Sequence, residues 1–159
     1  MRLPFFRRVS MNPMPVIWKR LITRGQTCRR CEDTGRELTA AIAKLEVALR
    51  PLGVSPFLEA KEIDEASFKV CPEESNRVWI AGKPIEEWLG ATVEMTRCCT
   101  ACGESDCRAL KVGDRTYETI NELLFIKAAL MAASQMIAAP EATIPKTCCA
   151  HDTNTEPIC

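Results

Sequence analysis

Val16-Ile17-Trp18-Lys19-Arg20-Leu21-Ile22 leads through Thr23-Arg24-Gly25-Gln26-Thr27 into Cys28-Arg29-Arg30-Cys31, and behind this pair Leu38, Ala41, Ile42, Leu45, Ala48, Leu49 and Leu52 recur at steps of three and four. The first run is β-rich and lies between Pro15 and Gly25, which predicts a buried first strand. The spaced apolar residues make one helix face, and Pro51 with Gly53 stops that helix, since proline cannot continue it and glycine suits its C-terminal cap. A strand, a close thiol pair and an amphipathic helix, in that order, predict an α/β chain with the thiols at a helix N-terminus.

Working outward, residues 1–14 carry Arg2, Arg7 and Arg8 without periodicity and read as a loose N-terminal extension, in which Met11 or Met14 would serve equally well as initiator. Downstream, Val54 to Ile63 reads as a second strand, which Pro56 pushes to a sheet edge. A short helix is expected around Ala66 to Lys69. Arg77 to Ile80, the turn Ala81-Gly82-Lys83, and Pro84 to Trp88 predict a hairpin whose second arm is short or turns into a helix. Leu110 to Val112 and Arg115 to Tyr117 predict a second small hairpin. Thr119-Ile120-Asn121-Glu122 has the form of a capping box, with a terminal helix behind it to about Ala139. The expected organisation is one domain over residues 15–139, followed by a flexible, cysteine-containing tail over 140–159.

The chain has 159 residues, 47% of them hydrophobic and 26% charged, enough for one apolar core. Lys and Arg number 21 and so do Asp and Glu, so no basic field points to a nucleic-acid partner. Even Ile120 to Ala139 is broken by Asn121, Glu122, Lys127, Ser134 and Gln135, and no membrane partner is expected. The N-terminus lacks the apolar run and small-residue site of a secretory leader, which predicts a cytoplasmic protein. Ten cysteines in a reducing compartment then call for metal or redox chemistry rather than structural bridges.

A thiol at a helix N-terminus faces unpaired N–H groups and the positive end of the helix dipole, so its thiolate is favoured. Cys28 is thereby placed as nucleophile and Cys31, one turn on, as the thiol that resolves a mixed disulfide, with Arg29 and Arg30 adding positive charge. The same spacing also fits half of a tetrahedral zinc site. A second cluster, Cys98, Cys99, Cys102 and Cys107, lies in a loop with almost no apolar content. Cys99-Thr-Ala-Cys102-Gly103 has the form of a metal knuckle, whose glycine lets the backbone fold around an ion. Adjacent Cys98 and Cys99 do not easily join Cys102 on one small tetrahedron. A composite set of Cys28, Cys31, Cys99 and Cys102 is the alternative, and it requires the two clusters to share one end of the sheet. In the tail, Cys148 and Cys149 with His151 suit a large thiophilic ion such as Hg(II), Cu(I) or trivalent arsenic better than a rigid zinc site. Cys71 reads as a small, partly buried residue, and Trp79 and Trp88 as packing.

The order of elements resembles the thioredoxin-like fold: a central mixed sheet with flanking helices, here with a Cys-rich loop inserted. More narrowly, Glu74-Ser75-Asn76-Arg77-Val78-Trp79-Ile80-Ala81-Gly82-Lys83-Pro84-Ile85-Glu86-Glu87-Trp88-Leu89-Gly90, followed by Cys98-Cys99-x-x-Cys102, resembles an uncharacterised bacterial and archaeal thioredoxin-like family catalogued as a domain of unknown function. Thioredoxins place a cis-proline before the strand that faces the redox pair. Here Ser75-Asn76-Arg77 precede Val78 and the nearest proline is Pro72, a departure that opens the pair to metal ions. The resemblance implies the fold, and the placing of Cys28 and Cys31 at a helix start gives the leading reading, a thiol–disulfide oxidoreductase acting through that pair on a thiol or disulfide partner protein. The alternative is a non-catalytic binder of a soft metal ion (Zn, Hg, As or Cu) that uses the Cys-x-x-Cys and vicinal pairs. No organic cofactor is expected on either reading.

Overall fold

The computed structural model describes residues 11–98, 102 and 105–137. Its first strand, β1 (Asn12–Leu21), buries Met14, Val16 and Trp18 on alternate positions, as a strand covered on one face must. It begins at Asn12, earlier than the expected start at Val16, and ends one residue before Ile22. Helix α1 (Arg29–Leu49) follows and buries Leu38, Ala41, Ile42, Leu45 and Leu49, while Ala48 and Leu52 of the expected stripe are exposed. A short 3-10 turn over Arg50–Leu52 closes on Gly53, whose φ of 71° is a left-handed cap conformation that glycine takes without penalty. Strand β2 (Val54–Ile63) then runs parallel to β1, from Asn12 opposite Val54 to Leu21 opposite Ile63.

Helix α2 (Glu65–Val70), capped by the Asp64 carboxylate on the Ser67 N–H, leads to β3 (Arg77–Ile80), which pairs antiparallel with β1, Trp18 facing Val78. Strand β4 (Lys83–Pro84) is only two residues long, and the chain turns at once into α3 (Ile85–Leu89). Ala81 and Gly82 take φ of 50° and 79°, the paired positive values that a two-residue hairpin turn requires. The mixed sheet therefore has the order β2-β1-β3-β4, with β2 and its Pro56 at the edge.

The remainder departs from expectation. Strand β5 (Thr92–Arg97), which the sequence did not signal, pairs along its whole length with β6 (Asp106–Val112), and β7 (Arg115–Tyr117) completes a separate three-stranded sheet. The Cys-rich segment is thus the connection of a β5–β6 hairpin, and Cys107 lies in a strand rather than in the loop. Only the second arm of that sheet, β6 with β7, was legible. Helix α4 (Glu122–Met136) packs on α1 and takes its N-cap from Asn121, whose side chain accepts the Leu124 N–H at 3.1 Å, so the Thr119 capping box is not formed. No helix among the described residues is long and apolar enough to cross a membrane.

Candidate thiol centre

Cys28 is the N-cap of α1, in extended conformation, and its sulfur accepts the Cys31 N–H at 3.5 Å. This is the backbone donation that the helix start was expected to provide. The Cys31 thiol also points at the Cys28 sulfur and is the first cause of a Cys28 pKa lowered to about 5, with burial opposing and contacts from Cys98 and Cys102 assisting. The same hydrogen bond, together with burial, pushes Cys31 far upward. The pair is therefore asymmetric: one thiolate at neutral pH, one firmly held proton. The charge expected from Arg29 and Arg30 is directed elsewhere. Arg29 is solvent-exposed and pairs with Asp33 at 3.8 Å, and Arg30 reaches across to the second sheet.

That reach builds the centre. The buried Arg30 guanidinium donates to the Arg97 carbonyl at 3.0 Å, the Cys107 carbonyl at 3.3 Å and Thr96 Oγ1 at 3.0 Å, and pairs with Glu118 at 3.2 Å. It ties the first turn of α1 to the two strands that carry Cys98 and Cys107. Arg108 makes a second tie, donating to the Glu73 carbonyl at 3.2 Å and pairing with Glu86 of α3. Buried arginines, which lose water's hydrogen bonds, are kept only where such acceptors replace them.

The ties bring Cys28, Cys98 and Cys102 together, their three sulfurs all within 4.8 Å of one another and all three side chains buried. Cys98 and Cys102 lie 3.1 Å apart, sulfur to sulfur. Cys107 is also buried and contacts both of them. Burial raises Cys98 to about 12 and raises Cys102 as well. The predicted meeting of the two cysteine clusters is thus found for Cys28 and Cys102, but with Cys98 as third member and with Cys31 beside the set rather than in it. Cys99, Cys148, Cys149 and His151, also singled out in the sequence, lie outside the described residues. Cys71 is half-buried, its sulfur 3.7 Å from the Glu73 carboxylate and outside the three-sulfur set.

Two further residues were marked in the sequence only by the absence of a proline before β3, without a role of their own. Ser75, fully buried, sets its hydroxyl 3.7 Å from the Cys31 sulfur. Asn76, with a left-handed φ of 59°, accepts the Trp18 indole N–H at 3.2 Å and donates to the Glu118 carbonyl. Together they form the wall that faces the pair just before β3. Arg30 stands inside the thiol motif, whereas Ser75 lies 44 positions from Cys31, and only folding brings it there.

A family model described as "Domain of unknown function (DUF2703)" matches residues 14–129. An uncharacterized protein of Archaeoglobus fulgidus is 40% identical over 107 residues, which cover 67% of this chain and 78% of the relative. No solved structure matches.

Proposed function

Since the chain belongs to the family of the domain of unknown function DUF2703, a grouping that carries no activity, we propose a function from the site itself: the protein captures a thiophilic metal ion on the Cys28, Cys98 and Cys102 sulfurs. The observation that carries this reading is their mutual approach within 4.8 Å, all three buried, from two separated regions of the chain. Sulfurs sharing one ion at a bond length of about 2.3 Å stand roughly 4 Å apart, so the set fits with sub-ångström adjustment. Soft thiolates select soft ions, and a three-sulfur face suits trivalent arsenic or Hg(II). Zn(II) would draw a fourth ligand, for which Cys107, in contact with Cys98 and Cys102, is a candidate.

Cys28, already a thiolate, makes the first bond, and Cys98 and Cys102 lose their protons as the ion replaces them. For arsenous acid, with Cys28 as the thiolate, the balance is As(OH)3 plus one thiolate, two thiols and one proton from solvent giving As(SR)3 and three waters. The ion is cargo, and the fold supplies a dry, preformed cradle.

The thiol–disulfide exchange reading is second. It is favoured by the acidic N-cap Cys28 beside a protonated Cys31, and the β2-β1-β3-β4 order with the pair at the start of α1 supports a thioredoxin-like fold. Against it stands access. A partner protein must seat a folded surface around its disulfide to bring a sulfur in line with Cys28, which is 2% exposed and lies against Cys98 and Cys102, whereas a small ion or a small-molecule disulfide needs no such surface. The expected location is the cytoplasm.

The test is anaerobic purification of the reduced protein, incubation with arsenite or Zn(II), and measurement of bound metal alongside thiol protection mapped by alkylation. One ion per chain with Cys28, Cys98 and Cys102 protected is expected. No bound ion at micromolar concentration, with these thiols unprotected, would put the exchange reading first.

A further inference from the structure

Cys31 is a buried thiol that the three-sulfur set leaves out. It is 1% exposed, it touches the Cys28 sulfur through both its thiol and its N–H, and the Ser75 and Thr27 hydroxyls are its further side-chain neighbours. Cys28 is therefore shared, facing Cys98 and Cys102 on one side and Cys31 on the other. One turn of helix is also the spacing at which two thiols close a disulfide without moving the backbone elements that carry them. A sulfur in a disulfide is no longer a thiolate ligand.

We propose that Cys31 releases the ion: oxidation of Cys28 and Cys31 to a disulfide withdraws Cys28 from the three-sulfur site and ejects the cargo. This rests on the ion-capture reading above and names its regulation. The oxidant is a low-molecular-weight disulfide, RSSR. For bound arsenic, the Cys28 S–As bond, the Cys31 S–H bond and the RS–SR bond break, and one water is consumed. The Cys28–Cys31 bond, an As–OH bond and two RSH form. The two cysteine sulfurs lose two electrons and RSSR gains them. The ion is then left on Cys98 and Cys102 alone, and the missing third bond weakens its hold by about tenfold or more, given that even outer-shell partners are worth 10–100-fold. Capture under reducing conditions and release to an oxidised thiol pool would make the protein a carrier whose unloading is set by redox poise.

The experiment uses the full-length chain carrying Cys71→Ser, Cys148→Ser, Cys149→Ser and Cys159→Ser, so that bound arsenite reports the buried site. Arsenite occupancy is read by native mass spectrometry before and after glutathione disulfide, and the disulfides formed are mapped by peptide mass. The expected result is one arsenic in the reduced protein, its loss on oxidation, and a Cys28–Cys31 cross-link. Adding Cys31→Ser, which keeps a donor to the Cys28 sulfur, should preserve capture at saturating arsenite and make release at least tenfold slower, and Cys31→Ala, which loses that donor, should need more arsenite to load but release equally slowly. Equal release from the Cys31 variants, retention of arsenic by a cross-linked protein, or a mapped Cys98–Cys102 bond in place of Cys28–Cys31 would overturn the release mechanism while capture stands. Absence of arsenic from the reduced protein would overturn capture itself, and the release mechanism with it.

Discussion

The β1–α1–β2 half and the β5–β6 hairpin are ordered by different physics. In the first, apolar side chains repeat at strand and helix periods, and Met14, Val16, Leu38, Leu45, Leu49 and Val54 bury themselves whatever the rest of the chain does. In the second, β5 shows no buried face at all, apolar anchorage comes from Ala109 and Leu110 of β6, and the hairpin is otherwise tied by arginines from and to neighbouring elements and by a cluster of sulfurs. A region ordered by its own pattern tolerates local damage, whereas one ordered by a few long-range ties is adjustable and depends on each tie. The Cys28, Cys98 and Cys102 sulfurs, which could hold an ion, sit on the boundary between the two, one from the first half and two from the end of the hairpin.

The largest effect expected is on the boundary itself. Cys28→Ser removes the ligand that is already ionised and should weaken thiophilic ion binding by on the order of 100-fold or more, as an equilibrium titration would show. The same variant should abolish the thiolate absorbance step with a midpoint near pH 5 in the apoprotein. The sign follows from the folded thiol lying below its unfolded value of about 8.5. Its stabilisation is complete above the unfolded value and is lost as pH falls through about 5. An unchanged titration curve in the variant would break the assignment.

Arg30→Gln tests whether the hairpin depends on its tie. The loss of charged hydrogen bonds to two carbonyls should cost about 2 kcal/mol, mostly in the hairpin. Hydrogen exchange should then quicken in β5 and β6 while α1 and β2 hold. Uniform loosening of both regions would remove the distinction drawn between them.

Gly35→Ala probes the pattern-ordered half. An added Cβ would lie 2.7 Å from Trp18 Cη2, while the indole is held by Asn76, so the ring must shift. Despite the better helix propensity of alanine, a net loss of about 1–2 kcal/mol is expected from overpacking, with a change in tryptophan fluorescence. A stabilised variant would show that Trp18 yields freely. The smallest effect is at the last helix: Asn121→Ala should cost about 1 kcal/mol in thermal unfolding and Thr119→Ala much less. The reverse order would restore the capping box.

Much of the fold was legible. β2 and β3 were bounded to the residue, the arm after Ala81-Gly82 turned into a helix as its short apolar run implied, and the helix behind Cys28-Arg29-Arg30-Cys31 begins where the thiols required. β5 was not, because Thr92-Val-Glu-Met-Thr-Arg is stabilised by ladder hydrogen bonds to β6 and has no apolar face to betray it. The site was half legible. Close thiol spacing marked the residues, but which sulfurs meet depends on Arg30, whose charge is placed beside Cys28 by the sequence and turned toward Arg97 and Cys107 by the fold.

By itself the sequence determined a strand, a thiol-capped helix and a second strand, because these follow from periods of two and 3.6 within short stretches of chain. It also placed Cys28 at the helix start with Cys31 one turn on, whose thiol is the first cause and whose N–H is a further cause of the lowered Cys28 pKa. Only the tertiary structure decided that Cys98 and Cys102 complete the set and that Cys31 stands beside it. Those contacts join residues some 70 positions apart, and no local pattern encodes a distance that two buried arginines and the hairpin must set.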